Sequence, residues 1–337
     1  MRVLFEGVYQ RLLEVLTEEL LQLQKGFTYN DELWHVAILG VKGDMPFLAK
    51  SGNLVRHWLR AARKDNAADP AGVCWLCMAG KAGVPFEDFN QNCLWSVTPA
   101  TSPWCERPVL LRLWHPENAP EAFFKPDIWH NFHGGAGADF IASALTESLT
   151  HLLEGSKDAR CAEVDGLLMD WVQNHDGKMP YSGHFSAERL ALTSYQVQPS
   201  ACWSKHADTR AYFRFLEHWL QSRAADCDGH PILSRIKSAV ENANRAFSLL
   251  YHGELWLRGE DALCIGQLLR RFLRDAAHLA AASFAEQKLR FQLTVKLHMI
   301  DHAARRLLHL GESHPYVLNT LAESVQMDED AVNARGF

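Results

Sequence analysis

The sequence predicts a helix-rich α/β protein, and three observations carry this prediction. Residues 8–24 place apolar side chains at helical spacing, with glutamates on the opposite face. The mostly apolar run Trp34–Val41 has the length of a buried strand and is closed by Gly43–Asp44. From about residue 140 to 310, apolar residues recur at helical spacing over most of the chain, so we expect more helix than strand.

Length and composition are those of an ordinary globular protein. The chain has 337 residues, 47% hydrophobic and 22% charged, with a formal net charge of −6. This is enough apolar material for two domains, or for one domain with a large insertion. The negative net charge argues against a basic nucleic-acid-binding domain, so DNA contact would need a local basic patch.

Targeting signals and cysteine usage indicate the compartment. The chain starts with an amphipathic helical pattern instead of a secretory signal, and no apolar run reaches the length of a membrane span. We therefore expect a nuclear or cytoplasmic protein whose eight cysteines are reduced. A homo-oligomer is compatible with this composition.

The other predicted elements follow in order along the chain. Pro46 opens a second helix, which extends to about residue 64. Residues 65–120 are rich in Pro, Asn, Asp and Gly and predict loops and short strands. A turn at Pro126 leads into a long helix, and the helical pattern is broken near 175–210 and 226–231.

Two pairs of metal-ligating residues lie about 220 residues apart. Cys74 and Cys77 have Cys-x-x-Cys spacing, and His298 and His302 are four apart on a predicted helix, where such residues share one face. Together they offer the four ligands that a closed tetrahedral zinc site needs. The alternative is that the cysteines are small buried hydrophobes and the histidines belong to a helix surface or core.

Three groups of acidic residues are candidates for a second site. Asp44 follows the predicted strand, where α/β folds place catalytic or metal-binding acids; the alternative, a turn or helix N-cap before Pro46, is favoured by the residues alone. Asp127 and His130 are three apart at a helix start, where an N-cap explains them. Asp328, Glu329 and Asp330 form either an acidic first helical turn or a carboxylate ligand for a divalent ion shared with Asp44.

Basic residues form three short groups. Each group is interpreted either as a solvated helix face or as a strip that contacts phosphates. The members are Arg56, Arg60, Arg63 and Lys64; Arg270, Arg271 and Arg274; and Arg305 and Arg306.

The order of these motifs resembles a known family. A strand ending in Asp44, a Cys-x-x-Cys, an Asp-x-x-His, a helical stretch, a His-x-x-x-His and a following acid occur in this order in DDE DNA transposases of the CACTA/Plavaka kind. The catalytic subunit of the V(D)J recombinase belongs to the same wider group. The wording "GDMPFLAKSGNLVR" and "KPDIWHNFHGGAGADF" is also similar to transposon-derived reading frames. The resemblance covers about residues 34–333.

The resemblance implies an RNase H-like core interrupted by an all-helical insertion, with a zinc ion that joins the Cys pair to the His pair. Residues 1–139 would then form the N-terminal part of the core, residues 140–290 the insertion, and residues 291–337 the C-terminal core helices. The implied zinc ligands are Cys74, Cys77, His298 and His302. Asp127 and His130 would be supporting structure near the catalytic site.

The resemblance also implies a catalytic centre, which this chain matches only in part. Asp44 matches the second acid, and the third acid falls at Glu329 or Asp330. The first acid has no counterpart among the 43 residues before Asp44, because none of the acids there occupies a predicted strand. With all three acids, Mg²⁺ would support phosphoryl transfer on DNA. We therefore expect a transposase-derived protein that lacks the family's N-terminal part and is catalytically incomplete.

A hypothesis of a different class is a non-enzymatic, zinc-stabilised helical protein that acts as a binding module or scaffold. A thiol redox protein using Cys74 and Cys77 is disfavoured, because these residues lack a thioredoxin-like strand–helix context.

Overall fold

The computed structural model describes residues 2–60, 71–175, 177–194 and 197–326, with side chains described from residue 7 onward. It is 59% helical with small two-stranded sheets, so the predicted helix-rich α/β class is confirmed. The α-helices are α1 Arg2–Lys25, α2 Met45–Ser51, α3 Leu94–Val97, α4 Gly137–Leu152, α5 Lys157–Asn174, α6 Ala207–Ser222, α7 Ala224–Asp228, α8 Pro231–His252, α9 Gly259–Ala285 and α10 Val295–Ser313. The strands are β1 Phe27–Tyr29, β2 Glu32–Trp34, β3 Val41–Gly43, β4 Phe124–Pro126, β5 Trp256–Arg258 and β6 Tyr316–Leu318.

The described strands pair two by two. β1 and β2 form an antiparallel hairpin, whose turn residues Asn30 and Asp31 both have positive φ, as a type I′ turn requires. β3 and β4 are parallel, and β5 and β6 are antiparallel. A larger sheet of the RNase H type is not found among the described residues, and that core stays a prediction.

Two of the N-terminal elements differ from their predicted bounds. The predicted strand Trp34–Val41 is wrong, because its two ends pair with different partners and residues 35–40 lie in no strand. The helix predicted from Pro46 ends at Ser51, where Gly52 caps it and Asn53 has a φ of 48°. Up to residue 60 the short 3₁₀ turn Trp58–Arg60 follows, and residues 61–64 lie outside the described residues. The predicted helix over 8–24 is confirmed and is longer than expected.

The chain divides into two compact units. The first, which we call the loop-rich unit, comprises residues 1–88, 92–127 and 323–337. Its core is built around the β3–β4 pair and includes the fully buried side chains Leu48, Trp75, Leu113, Phe123 and Phe124. The indole Nε1 of Trp75 donates to the carbonyl of Phe124 at 3.0 Å, so the loop after residue 70 is fastened to a strand.

The second, the helical unit, comprises residues 89–91 and 128–322. It contains α4–α10, and a single large apolar cluster is buried among these helices. An aromatic group lies at its centre, where the rings of Phe132 and Phe247 are 4.2 Å apart and those of Phe140 and Phe272 are 5.0 Å apart. The helical pattern predicted between about 140 and 310 is confirmed, including the gap between α5 and α6.

These units do not follow the predicted domain boundaries at 139/140 and 290/291, and the division into core and insertion stays a prediction. Within the part of the chain that the structure describes, no helix combines the length and apolarity needed to cross a bilayer.

Candidate metal centre

The Cys74–Cys77 loop has local geometry that prepares its two thiols for a metal. Both cysteines are buried. The backbone N–H of Leu76 points to the Sγ of Cys74 at 3.3 Å, and that of Ala79 points to the Sγ of Cys77 at 3.4 Å. Such N–H groups stabilise negative charge on sulfur, and the thiolate is the form that binds metals.

The buried side chain of Arg56 fixes this loop through hydrogen bonds to its backbone. Arg56 donates through Nε to the carbonyl of Cys74 at 2.9 Å and through Nη2 to that of Trp75 at 3.3 Å. The same guanidinium reaches the carbonyls of Thr101 and Ser102 at 2.7 and 3.0 Å. Burial lowers its pKa, against the opposing influence of the two cysteine thiols. Arg56 was predicted to lie on a solvated or phosphate-binding strip, and that prediction is wrong because its donors are used by backbone carbonyls.

The two histidines lie on one face of α10, as their spacing predicts. His298 is fully buried, and its Nε2 lies 3.1 Å from the Nε2 of His302. Two ligands at about 2.0 Å on one tetrahedral ion are about 3.3 Å apart, so this separation fits a shared zinc ion.

An ion-pair network fixes the position of the histidine-bearing helix. Asp301, between the two histidines, is fully buried and accepts two hydrogen bonds from Arg270 of α9, the longer at 2.7 Å. Arg305 also pairs with Asp301, at 3.2 Å, and donates to the carbonyls of Asn90 and Gln91. Arg270 and Arg305 were candidates for phosphate contacts, and the structure uses both in internal bonds.

The four residues selected from the sequence come together. One ligand atom from each of Cys74, Cys77, His298 and His302 lies within 4.8 Å of the others, with His302 half-buried and the other three buried. The predicted convergence of these side chains is therefore confirmed. Thiolates and imidazoles are the ligands that zinc prefers over Mg²⁺ or Ca²⁺. Among the described residues, this is the group of three or more ligating side chains found close enough to hold one ion.

The acidic candidates have a different arrangement. Asp44 is the N-cap of α2, where its Oδ1 accepts the backbone N–H of Phe47 at 2.8 Å, so the local alternative noted for it is observed. Asp127 is buried and accepts the N–H of Val325 at 3.4 Å. His130 lies in the π-helical segment Trp129–Ala136, with its ring 6.1 Å from that of His206. The residues proposed for the third acid, 328–330, lie outside the described residues.

The pairing of the two strands that precede Asp44 and Asp127 was not predicted from the sequence. Asp44 and Asp127 directly follow β3 and β4, which are parallel with Gly43 opposite Pro126. The carboxyl ends of parallel strands are where α/β folds bind ligands. No local pattern could indicate this pairing, because about 80 residues separate the two strands.

Glu323 was also not among the candidate acids selected from the sequence. It is buried and pairs with Lys125 of β4 at 3.4 Å, while Lys42 of β3 donates to the carbonyl of Ser324 at 2.9 Å. Glu323 therefore lies beside the same strand pair as Asp44 and Asp127. Its signal in the sequence was a single acid at the end of the mostly apolar stretch 317–322, whereas the acidic run at 328–330 attracted attention by its charge alone.

These acids do not form a ready magnesium site. Among the described residues, no three carboxylates are close enough to share an ion, so the structure gives no support for Mg²⁺.

Comparisons with known proteins give no match: no protein-family model, curated protein or solved structure is significantly similar to the chain.

Proposed function

We propose that this protein derives from a DDE-type DNA transposase and keeps a structural zinc site formed by Cys74, Cys77, His298 and His302. The observation that carries the proposal is the convergence of these four ligands from two distant segments, in the motif order of that family. The proposed role of zinc is structural. Four protein ligands fill a tetrahedral shell and leave no open position for substrate or water.

Zinc at this site would stabilise the fold, since the binding free energy of a structural metal becomes folding free energy. We expect one zinc ion per chain by elemental analysis. Cys77→Ser and His298→Ala should each lower the zinc content and the melting temperature together.

The matched control is His309→Ala, because His309 is exposed on the same helix and outside the cluster. It should leave zinc content and melting temperature unchanged. Well-folded protein that contains no zinc would contradict the proposed site.

For the ancestral reaction, we propose that Asp44 is the second acid and Glu329 or Asp330 the third, with no counterpart of the first. Asp44, Asp127 and Glu323 lie at one strand pair and are engaged with a helix N-terminus, the backbone N–H of Val325 and Lys125, respectively. A catalytic pair of Mg²⁺ ions needs carboxylates that face the ions. We therefore expect no nicking or strand transfer of DNA with Mg²⁺ or Mn²⁺.

The nuclease assay includes two variants at one position. Asp44→Asn keeps the helix cap but removes the charge, and Asp44→Ala removes both. Metal-dependent nicking by the unaltered chain that both variants abolish would show an active centre and contradict catalytic incompleteness.

The second candidate function is a binding or scaffold protein without catalysis. It is favoured by the extensive engagement of the acids and by the single large core of the helical unit. A nuclear or cytoplasmic location is compatible with either candidate. DNA binding without cleavage, measured by salt-dependent fluorescence anisotropy, would support a DNA-binding form of this second candidate.

A further inference from the structure

Helix α1 exposes a stripe of apolar side chains that is interrupted by Glu19. Its inner side, including Leu13 and Thr17, is buried within the loop-rich unit. The outer side carries apolar side chains at helical spacing that solvent reaches freely, with Val8 at 69% and Leu12 at 61% exposure. The members of this stripe are Val8, Leu12, Val15, Leu16 and Leu23. Large apolar side chains that are exposed together on one helix face are a feature of interaction sites.

The charges on this face of α1 are separated along the helix axis, with Arg11 and Glu18 at the edge of the stripe and Glu19 within it, between Leu16 and Leu23. Arg11 lies in the first half of the helix, whereas Glu18 and Glu19 lie in its second half. Arg11 and Glu18 are seven residues apart and so occupy the same edge of the helix. This edge also lines a surface groove with Val109 and Arg112.

We propose that the α1 stripe binds the α1 stripe of a second copy of this chain, with the two helices antiparallel. A two-fold axis near Val15 and Leu16 places Val8 of each copy near Leu23 of the other. It also places each Arg11 within about 3 Å, measured along the axis, of Glu18 and Glu19 in the partner copy. A parallel pair would instead leave each Arg11 about 10 Å, measured along the axis, from Glu18 of the partner copy and on the opposite edge of the interface, so these charges could not pair.

Nothing in the existing contacts of these charges opposes the pairing. Arg11 pairs with Glu14 at 2.9 Å, and Glu18 with Arg112 at 2.7 Å, and all four side chains are exposed. Exposed ion pairs contribute little stability, so these side chains can rearrange when a second helix arrives. One helix pair is a small interface, and we expect a dissociation constant on the order of micromolar.

The first test is sedimentation equilibrium of the full chain, from about 1 to about 100 μM, to span the expected dissociation constant. The unaltered chain should dimerise reversibly. Leu12→Gln should weaken the dimer by about tenfold or more, since it places an amide in the centre of the stripe. Phe284→Gln is the control, because Phe284 is an even more exposed apolar residue on a different helix, α9.

Charge exchange tests the orientation. Arg11→Glu and Glu18→Arg should each weaken the dimer, and the double variant should restore it, because the antiparallel pairs are then re-formed with the signs reversed. Cysteine cross-linking gives an independent readout, with the unaltered chain as the background for its native thiols. Val15→Cys, near the axis, should form a disulfide-linked dimer on mild oxidation, and Val8→Cys should not.

Three results would overturn the proposal. A chain that stays monomeric over the whole concentration range excludes a second copy as the occupant, whether or not that monomer binds lipid vesicles or other proteins. A dimer indifferent to Leu12→Gln uses another surface. Equal cross-linking at Val8→Cys and Val15→Cys indicates a parallel pair.

Discussion

The two units differ in what surrounds a buried polar side chain. In the loop-rich unit the elements are short, and Arg56 is a buried charged side chain whose donors are distributed over backbone carbonyls. In the helical unit the central aromatic cluster encloses His133, which is fully buried with its ring 4.6 Å from that of Trp129 and 4.9 Å from that of Phe247. Burial lowers the pKa of this imidazole to about 3, with a further contribution from the positive charges of Arg210 and His206, so it is neutral.

The difference shows which interactions stabilise each unit. Long helices satisfy their own backbone hydrogen bonds, so the contacts between them are mainly apolar packing, with buried ion pairs such as Arg270–Asp301 in addition. The loops of the other unit leave carbonyls that must find donors once buried, and a guanidinium with five N–H groups serves several at once. Packing variants should therefore act most strongly in the helical unit, and hydrogen-bond variants in the loop-rich unit.

The largest expected effect is in the aromatic cluster. Phe272 is fully buried, and its ring lies 5.6 Å from that of Phe132. Phe272→Ala removes this packing and leaves a cavity, so it should lower the free energy of unfolding by about 3–5 kcal/mol. Urea denaturation followed by circular dichroism measures the loss.

Phe284→Ala is the matched control in the same helix. Phe284 is 79% exposed, and its removal should change the free energy of unfolding by no more than about 0.5 kcal/mol. Equal effects at the two positions would mean that the helical unit does not depend on this cluster.

A smaller effect is expected from Arg56→Ala. The variant leaves several buried carbonyls without a donor and should cost about 3 kcal/mol. The loss should be local: faster amide hydrogen exchange in residues 71–84 and 99–104, and unchanged exchange in α8 and α9. Arg56→Lys keeps the charge but not the planar set of donors, so it should restore only part of the protection. Uniform acceleration across both units would contradict the comparison.

The smallest effect is the pH dependence caused by His133. Its folded pKa of about 3 lies below the unfolded value of 6.5, so below about pH 6.5 the unfolded chain binds a proton that the folded chain does not. Stability should thus fall as the pH drops below 6.5, by at most about 1.4 kcal/mol per pH unit, or about 2 kcal/mol over the measured range from pH 6.5 to 5. His133→Phe should flatten this slope between about pH 6.5 and 5, measured from urea midpoints. An unchanged slope would show that His133 is not buried in neutral form.

The sequence by itself determined the features that depend on local periodicity and ligand chemistry. It indicated α1, the helices between about 140 and 310, and the gap after α5, because an amphipathic helix records its buried face every three or four residues. It also selected Cys74, Cys77, His298 and His302, since few side chains bind zinc and their spacing within each pair is local.

Only the tertiary structure decided how distant segments pair. The run Trp34–Val41 divides between β2 and β3 because its ends have different partners, and apolar composition does not encode the partner of a strand. The burial of Arg56, the parallel alignment that sets Asp44 beside Asp127, and the return of Glu323 to Lys125 likewise depend on contacts between residues far apart in the chain. The physical reason is that a charged side chain looks the same in the sequence whether water or a ring of buried carbonyls surrounds it, and the fold alone decides which.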